Sequence, residues 1–439
     1  MWNVILIILL CGTGIYFTIR LKFIQIRKFG EGFKLVFGNI SLKGEKGKNG
    51  EMTTFQSLAT AIAAQVGTGN LAGAATALIG GGPGAIFWMW VSAFFGMSTI
   101  YAEATLAQQY KVQKDGEVTG GPVYYIRAAF KGTFGKALAA IFAILIVLAL
   151  GFTGNMVQSN SIGAAFSEVF SARNIEIPSI VFGLILAAVI GFIFLGGVNR
   201  LASVVEKIVP IMAGIYIVGS LVLILMNITA LPKAIKMIFV GAFNPEAVVG
   251  AGAGIAVREA IRFGVARGLF SNEAGMGSTP HAHARAKVEN PHKQGLAAMI
   301  SVFIDTFIIL NLTVFSILTT GVLDSGKEGT ALTQAAFTKG FGNFGDIFVA
   351  VCLLFFAFST ILGWHFFGEV NVKYLFGEKA AKFYSILVIG FVIVGSTLKV
   401  QLVWSLSDFF NGLMVIPNAI ALWALSGIVV KICKQYGKK

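Results

Sequence analysis

Charge is scarce in this chain. Asp, Glu, Lys and Arg together supply 12% of its 439 residues, about half the share usual in a soluble domain. Cysteine is scarcer still. Cys11, Cys352 and Cys433 stand far apart and no CxxC spacing occurs, so neither a disulfide framework nor a zinc site is supported. No GxxxxGK[ST] run is present, which leaves no nucleotide-phosphate loop. Strand-period alternation is missing too, and that excludes a β-barrel. The net charge is +14, but the basic residues are too few and too scattered to track phosphates, so a nucleic-acid partner is excluded.

What the chain has is apolar surface. Hydrophobic residues make up 56% of it, 39 of them Phe. That excludes disorder and voids the soluble-domain reading of its length. The expectation is an all-α polytopic membrane protein. A span needs about 20 apolar residues, and eleven transmembrane helices are predicted: 2–19, 56–79, 84–108, 137–166, 178–197, 208–228, 248–279, 296–320, 345–372, 383–398 and 403–430. The first has neither a basic stretch before it nor a small-residue cleavage site after it, so it reads as a span rather than a signal peptide.

Orientation follows from the basic residues. With the N-terminus outside and the C-terminus cytoplasmic, 25 of the 34 Lys and Arg fall in inside loops and six in outside loops. The other three, Arg258, Arg262 and Arg267, lie in the seventh segment. The positive net charge is therefore mostly topology.

Two segments do not read as ordinary spans. The second holds Gly67-Thr68-Gly69-Asn70, which weakens the helix and frees backbone groups. Such a break must be buried in protein or line a cavity, although one Gly-x-Gly also suits close helix packing. The seventh holds Gly264, Gly268, Gly275 and Gly277 with Arg262, Arg267 and Glu273. Charges at that depth face a polar path or a partner, and Arg267 pairing with Glu273 is the bland alternative. Segments two and seven each open a run of five spans. Five is odd, so the second run is inverted relative to the first. The expectation is one additional N-terminal helix plus a five-plus-five inverted repeat with two discontinuous helices, and a substrate and ion site near the midplane. The divisions are 1–55 for the first helix and a basic cytoplasmic loop, 56–228 for the first repeat and 229–247 for an extracellular connection. The second repeat takes 248–430 and a basic tail 431–439.

Several motifs agree in order and spacing across nearly the whole chain. They are Gly67-Thr68-Gly69-Asn70, Gly81-Gly82-Pro83-Gly84, Gly154-Asn155-Met156-Val157-Gln158, Arg267-Gly268-Leu269-Phe270-Ser271-Asn272-Glu273 and Ser359-Thr360-Ile361-Leu362-Gly363-Trp364. The chain resembles the alanine or glycine:cation symporter family. That resemblance implies a leucine-transporter-type fold and sodium-coupled symport of small neutral amino acids, alanine or glycine, across the cell membrane. It implies sodium as the coupling ion, no organic cofactor and no enzymatic activity. No obligatory protein partner is evident. Pro280-His281-Ala282-His283 departs from the small residues many members carry there.

The residues and the resemblance together nominate a substrate set. Gly69, Asn70 and Leu71 open the second half-helix, where amides suit a carboxylate, and Thr68 is expected to add its hydroxyl. Carbonyls around Phe263 and Gly264 are expected to accept from the ammonium, with Phe263 limiting the pocket. Gln158 is read as a substrate contact on the resemblance; by itself it would suit a helix–helix bond. Trp364, mid-span, is read as a pocket wall rather than an interfacial belt residue. Proteins of this fold bind sodium with carbonyls before the first break, here Ala63 and Val66, and with hydroxyls, here Ser359 and Thr360. The alternative for both hydroxyls is bonding to their own helix. Glu103, Asp305, Glu369 and Asp408 are expected to pair with neighbouring Lys or Arg; a proton-coupled carrier using Glu103 or Asp305 is the main rival, and a passive channel the lesser one. His281, His283 and His292 lack a completing carboxylate or Cys, so no metal beyond sodium is expected.

Overall fold

A chain this apolar hides its backbone polar groups in helices, and the computed structural model is built almost wholly of them. It describes residues 2–38, 52–114, 116–194, 197–244 and 257–437. Residues 39–51 of the expected basic loop, the end of the 229–247 connection, the start of the seventh segment and the last two residues lie outside the described residues.

Helix α1 (Trp2–Arg20) leads to short α2 (Ile24–Arg27) and α3 (Phe29–Phe37). Then comes α4 (Thr54–Gln65), opened by a capping box in which Thr53 and Gln56 bond each other's backbone. It stops at Val66, whose backbone is extended. The chain resumes as a π-helical turn, Gly69–Gly73, and runs into α5 (Ala74–Gly81), bent 44° from α4. Gly82, at φ 66°, and Pro83 turn it into α6 (Gly84–Gln109).

A hairpin of β1 (Val112–Lys114) and β2 (Glu117–Thr119) and the amphipathic helix α7 (Pro122–Ala129) follow. Helices α8 (Gly132–Ile146) and α9 (Asn155–Ser171) are continuous through a π-helical stretch, Val147–Gly154. Next are α10 (Ser179–Phe194), α11 (Gly197–Met226), α12 (Leu231–Phe243) and α13 (Val257–Asn272). After α13 the chain leaves the helix until α14 (Pro280–Ala284).

A further long helix joins α15 (Pro291–Val302), a π-helical stretch Phe303–Leu310 and α16 (Asn311–Thr320). The last part comprises α17 (Gly329–Phe341), α18 (Gly345–Phe376), α19 (Glu378–Thr397), α20 (Val400–Ala424) and α21 (Ser426–Tyr436).

Among the described residues seven helices are long and apolar enough to cross a membrane, and the bent α4–α5 pair makes an eighth. Ile7–Arg20 and Ser179–Phe194 are apolar but shorter. Exposed Ile185, Phe192, Val218 and Leu225 mark faces suited to lipid. Helix α1 lies against α6, held by a Thr18–Ser98 hydroxyl bond of 3.0 Å. The eleventh predicted span, 403–430, divides in two: α20 ends at Ala424 and α21 starts again at Ser426. Between Thr320 and Gly345 the expected loop carries α17, which reaches the first break through a bond from the Thr333 hydroxyl to the Leu71 carbonyl, 3.0 Å.

Candidate functional site

The two interruptions meet. Gly69 approaches so closely that an added Cβ would lie 3.0 Å from the Ser271 Cα, and the Gln65 amide donates to the Asn272 carbonyl at 2.8 Å. Ser271 and Asn272 are the last residues of α13, where carbonyls run out of helical donors. Everything here is buried: Thr68, Asn70, Gln158, Ser271 and Glu273 are all 0% exposed.

Around the first break, Thr68 donates from its amide and its hydroxyl to Gln158 Oε1, at 3.1 and 2.6 Å. The other end of that side chain, Nε2, is buried without a partner. Asn70 Oδ1 accepts from the Gly67 amide at 2.9 Å and so caps the interruption. A side chain at Gly67 could not fit, since a Cβ there would sit 2.3 Å from Thr360 Oγ1 and 3.2 Å from Gln158 Oε1. Thr360 donates toward Ala63 O at 2.8 Å, with Val66 O at 3.4 Å and its own Phe356 carbonyl at 3.0 Å. A hydroxyl and two carbonyls from two elements therefore share one spot.

Ser359 does not join them. Its hydroxyl bonds Phe356 O at 2.9 Å in its own helix and lies 3.5 Å from Met212 Sδ. The reason is angular: neighbouring residues on a helix point about 100° apart.

Trp364 is 1% exposed and lies in the room left by Gly154, where a Cβ would meet the indole at 2.5 Å. Its Nε1 donates to Glu273 Oε1 at 2.5 Å. Glu273 also accepts from the Ser278 hydroxyl and holds φ at +57°, an uncommon posture for a side-chain residue that often marks a functional turn. An aromatic column continues from there. Phe270 meets Trp364 edge-on at 5.6 Å and Trp404 at 4.6 Å, and the Arg267 guanidinium lies 4.4 Å over Trp404. Arg267 is held by Asp408 with two bonds, 3.0 and 2.5 Å. Beyond it opens a cavity of about 670 Å³ that takes in Thr76, Phe263, Arg267, Phe270, Trp404 and Asp408. Phe270 and Trp404 thus form its floor above the breaks.

The seventh segment needs correcting on two points. Phe263 and Gly264 are not at the interruption. Both lie within the continuous helix α13, so their carbonyls serve the helix. Gly264 is a packing glycine, its Cβ position 2.3 Å from Ala85 O, and the Phe263 ring covers Gly80 and faces the cavity. The true interruption runs from Glu273 to Thr279, where Gly275 and Gly277 have φ of +91° and +79°. Second, Arg267 pairs with Asp408, not with Glu273.

Nor do the buried acids all find cations. Glu369 pairs with Lys373 at 3.0 Å. Glu103 instead accepts from the amides of Gly275 and Gly277, at 3.0 and 2.8 Å, and from Asn418 at 2.6 Å. Asp305 accepts from Asn70, Ser271 and Thr306. Ser271, Asn272, Phe270 and Trp404 are absent from the predicted site; the first three lie within the motif Arg267–Glu273, whereas no sequence signal points to Trp404. The histidines are separately engaged: His281 with Ser278 O and Asn371, His283 with Gln294 and His292 with Tyr101.

Comparison with known proteins bears on this geometry. A family model described as the sodium:alanine symporter family matches residues 1–439. The chain is 42% identical over 440 residues to the amino-acid carrier protein AlsT of Bacillus subtilis, covering 100% of this chain and 90% of that protein. It is 41% identical over 443 residues to the sodium/alanine symporter AgcS of Methanococcus maripaludis, covering 100% and 95%. Among solved structures it resembles MhsT in complex with L-phenylalanine, with TM-score 0.60, 14% identity, and 90% and 91% of the two chains covered. That last likeness is one of fold.

Proposed function

The chain belongs to the sodium:alanine symporter family, a family of multi-pass membrane transporters and not of enzymes, and from that premise we propose that it carries a small neutral amino acid, alanine or glycine, inward with sodium. The observation that carries the substrate reading is Gln158: a fully buried amide donor without a partner, beside Thr68 and the first break. A substrate carboxylate accepts from that donor and from the backbone that Gly69 leaves bare. The ammonium goes to the carbonyl end of α13. Trp364, held by Glu273, limits side-chain size; Phe263 belongs to the route above it.

The proposed sodium set is Thr360 with the carbonyls of Ala63 and Val66. Sodium needs hard oxygens, about six at most, and Ser359 joins only by turning away from Phe356. The full architecture we propose is eleven spans, N-terminus outside, with 56–228 and 248–430 as inverted repeats around the breaks. The cavity is then an outer vestibule, and Phe270 and Trp404 close its floor. Occupation of both sites favours closure, and one helix bundle rocks against the rest. One net charge moved adds about 2.3 kcal/mol per 100 mV to the driving force.

Uptake into proteoliposomes at fixed pH tests this. Labelled alanine accumulates with an inward sodium gradient and does not without one. Accumulation that ignores sodium but follows a proton gradient supports the rival on the same fold, and uptake without saturation or counterflow supports a channel.

A further inference from the structure

The chain from Pro280 to Lys287 follows the second interruption and is held from two sides. Its backbone belongs to one of them. Ser57 of α4 donates to the Ala282 carbonyl at 2.9 Å, and Gln108 at the end of α6 donates to the carbonyls of His283 and Ala286 at 2.5 and 2.9 Å. Met52, ahead of α4, donates to Arg285 O and accepts from the Lys287 amide, at 2.9 and 3.0 Å. Two of its side chains reach the other way. His281 and Arg285 stand four residues apart, on one face of a helical turn. His281 Nε2 accepts from Asn371 Nδ2 of α18 at 2.8 Å. The Arg285 guanidinium lies 5.7 Å over the Phe366 ring of α18 and meets the Glu117 carboxylate of the β1–β2 hairpin at 2.5 Å. That hairpin runs on into α7, whose Tyr124 packs edge-on against Tyr374 of α18, ring centres 5.9 Å apart.

Arg285 lies on the far side of the breaks from the cavity of about 670 Å³. On the seventh segment that cavity is lined ahead of the interruption, by residues between Arg262 and Phe270, and Arg285 comes after it. On the second segment Ser57 precedes the break, and Thr76 and Ile79, which line the cavity, follow it. The pair is also lopsided: the Arg285 side chain is 4% exposed and that of Glu117 49%. A buried guanidinium depends on its carboxylate, whereas a carboxylate already half in water can withdraw with its hairpin. A void of about 40 Å³, lined by Glu117, Tyr124, Arg285, Glu369, Val370 and Lys373, adjoins the pair and gives water a way to the guanidinium as they separate. We propose that Arg285 and Glu117 form the inner latch of the transport cycle. The pair holds the inner path shut while the outer cavity is open, and it parts when the path opens inward. This rests on the alternating-access reading above.

The test is the rate at which a polar thiol reagent modifies single cysteines in the full chain, held in lipid nanodiscs that leave both faces open. Cys11, Cys352 and Cys433 are first replaced by Ala. Val370→Cys then reports on the void beside Arg285, and Ala266→Cys on the outer cavity. An ion pair buried at one end and exposed at the other lies between the buried and the surface case, so Glu117→Gln speeds modification at position 370 about tenfold. It slows modification at position 266. Should Glu117→Gln fail to fold, Glu117→Asp keeps the charge, shortens the reach and shifts both rates the same way by less. Unchanged rates at both positions overturn the latch. So does faster modification at both, which is general loosening. If sodium and alanine alter neither rate in the chain that keeps Glu117, the alternating-access reading falls and the latch with it. If they alter both rates but Glu117→Gln changes nothing, that reading stands and the latch does not.

Discussion

Gly67 shows how little room a single residue leaves here. Its missing side chain leaves room for Thr360 and Gln158, both of which crowd the position its Cβ would take. Thr360→Ala removes the hydroxyl that meets the Ala63 and Val66 carbonyls and should raise the half-saturating sodium concentration while leaving the ranking of substrates unchanged. Sodium titration of uptake checks this, and an unchanged titration contradicts it. Trp364 to a smaller residue should admit larger amino acids in a competition panel; equal loss for all substrates contradicts a wall. Glu273→Gln keeps an acceptor for the indole, so it should relax selectivity less than the Trp364 change.

Thr68 and Thr360 stand out in the sequence as hydroxyls in apolar runs, Thr68 between two glycines, whereas Ala63, Val66 and the substrate reading of Gln158 come only from the family resemblance. Phe263 and Gly264 misled because a packing glycine and a hinge glycine are the same letter. Only the backbone separates Gly264, pressed on Ala85, from Gly275 and Gly277 at positive φ.

Among elements, the short stretch between α13 and α14 is the one most constrained. Its amides at Gly275 and Gly277 are clamped by Glu103, and Asn418 ties the same carboxylate to the Gly275 carbonyl and to Tyr125 of α7. A Cβ at Gly277 would require its strained φ and meet Phe142 and Pro122 at 2.9 Å. Gly277→Ala should cost about 1–3 kcal/mol, read as a lower melting temperature in detergent; an unchanged one contradicts the clamp.

Helix α14 adds a pH dependence. Burial pushes His281 down to about 4 and His283 down to about 3, from an ordinary 6.5. Between those values the unfolded chain binds more protons than the folded one, so their contribution is full above pH 6.5 and lost as pH falls. Melting temperature should drop from pH 7 to pH 5, and drop less in His283→Gln; parallel curves contradict this. The π-helical stretches at 147–154 and 303–310 were invisible in the sequence, since one extra residue in a turn changes no hydrophobic pattern that a span reading uses.

At the scale of the whole molecule, low charge and long apolar runs were enough for a polytopic helical protein. They did not locate α17, because a loop that packs back on a break has the composition of a loop. The pairings of Arg267 with Asp408 and of Asn70 with Asp305 link residues 141 and 235 positions apart, which no local pattern encodes. The cavity, the Phe270–Trp404 pair and the two joined interruptions adjoin one another, and the proposed function makes them a path from vestibule to ion ligands. If amino acid and sodium bind at that junction, each must raise the affinity for the other by the same factor. Equilibrium binding of labelled alanine to the purified protein, titrated with sodium at constant ionic strength and pH, measures that coupling. The account predicts that sodium tightens alanine binding in the wild type and much less in Thr360→Ala; alanine affinity independent of sodium would contradict it.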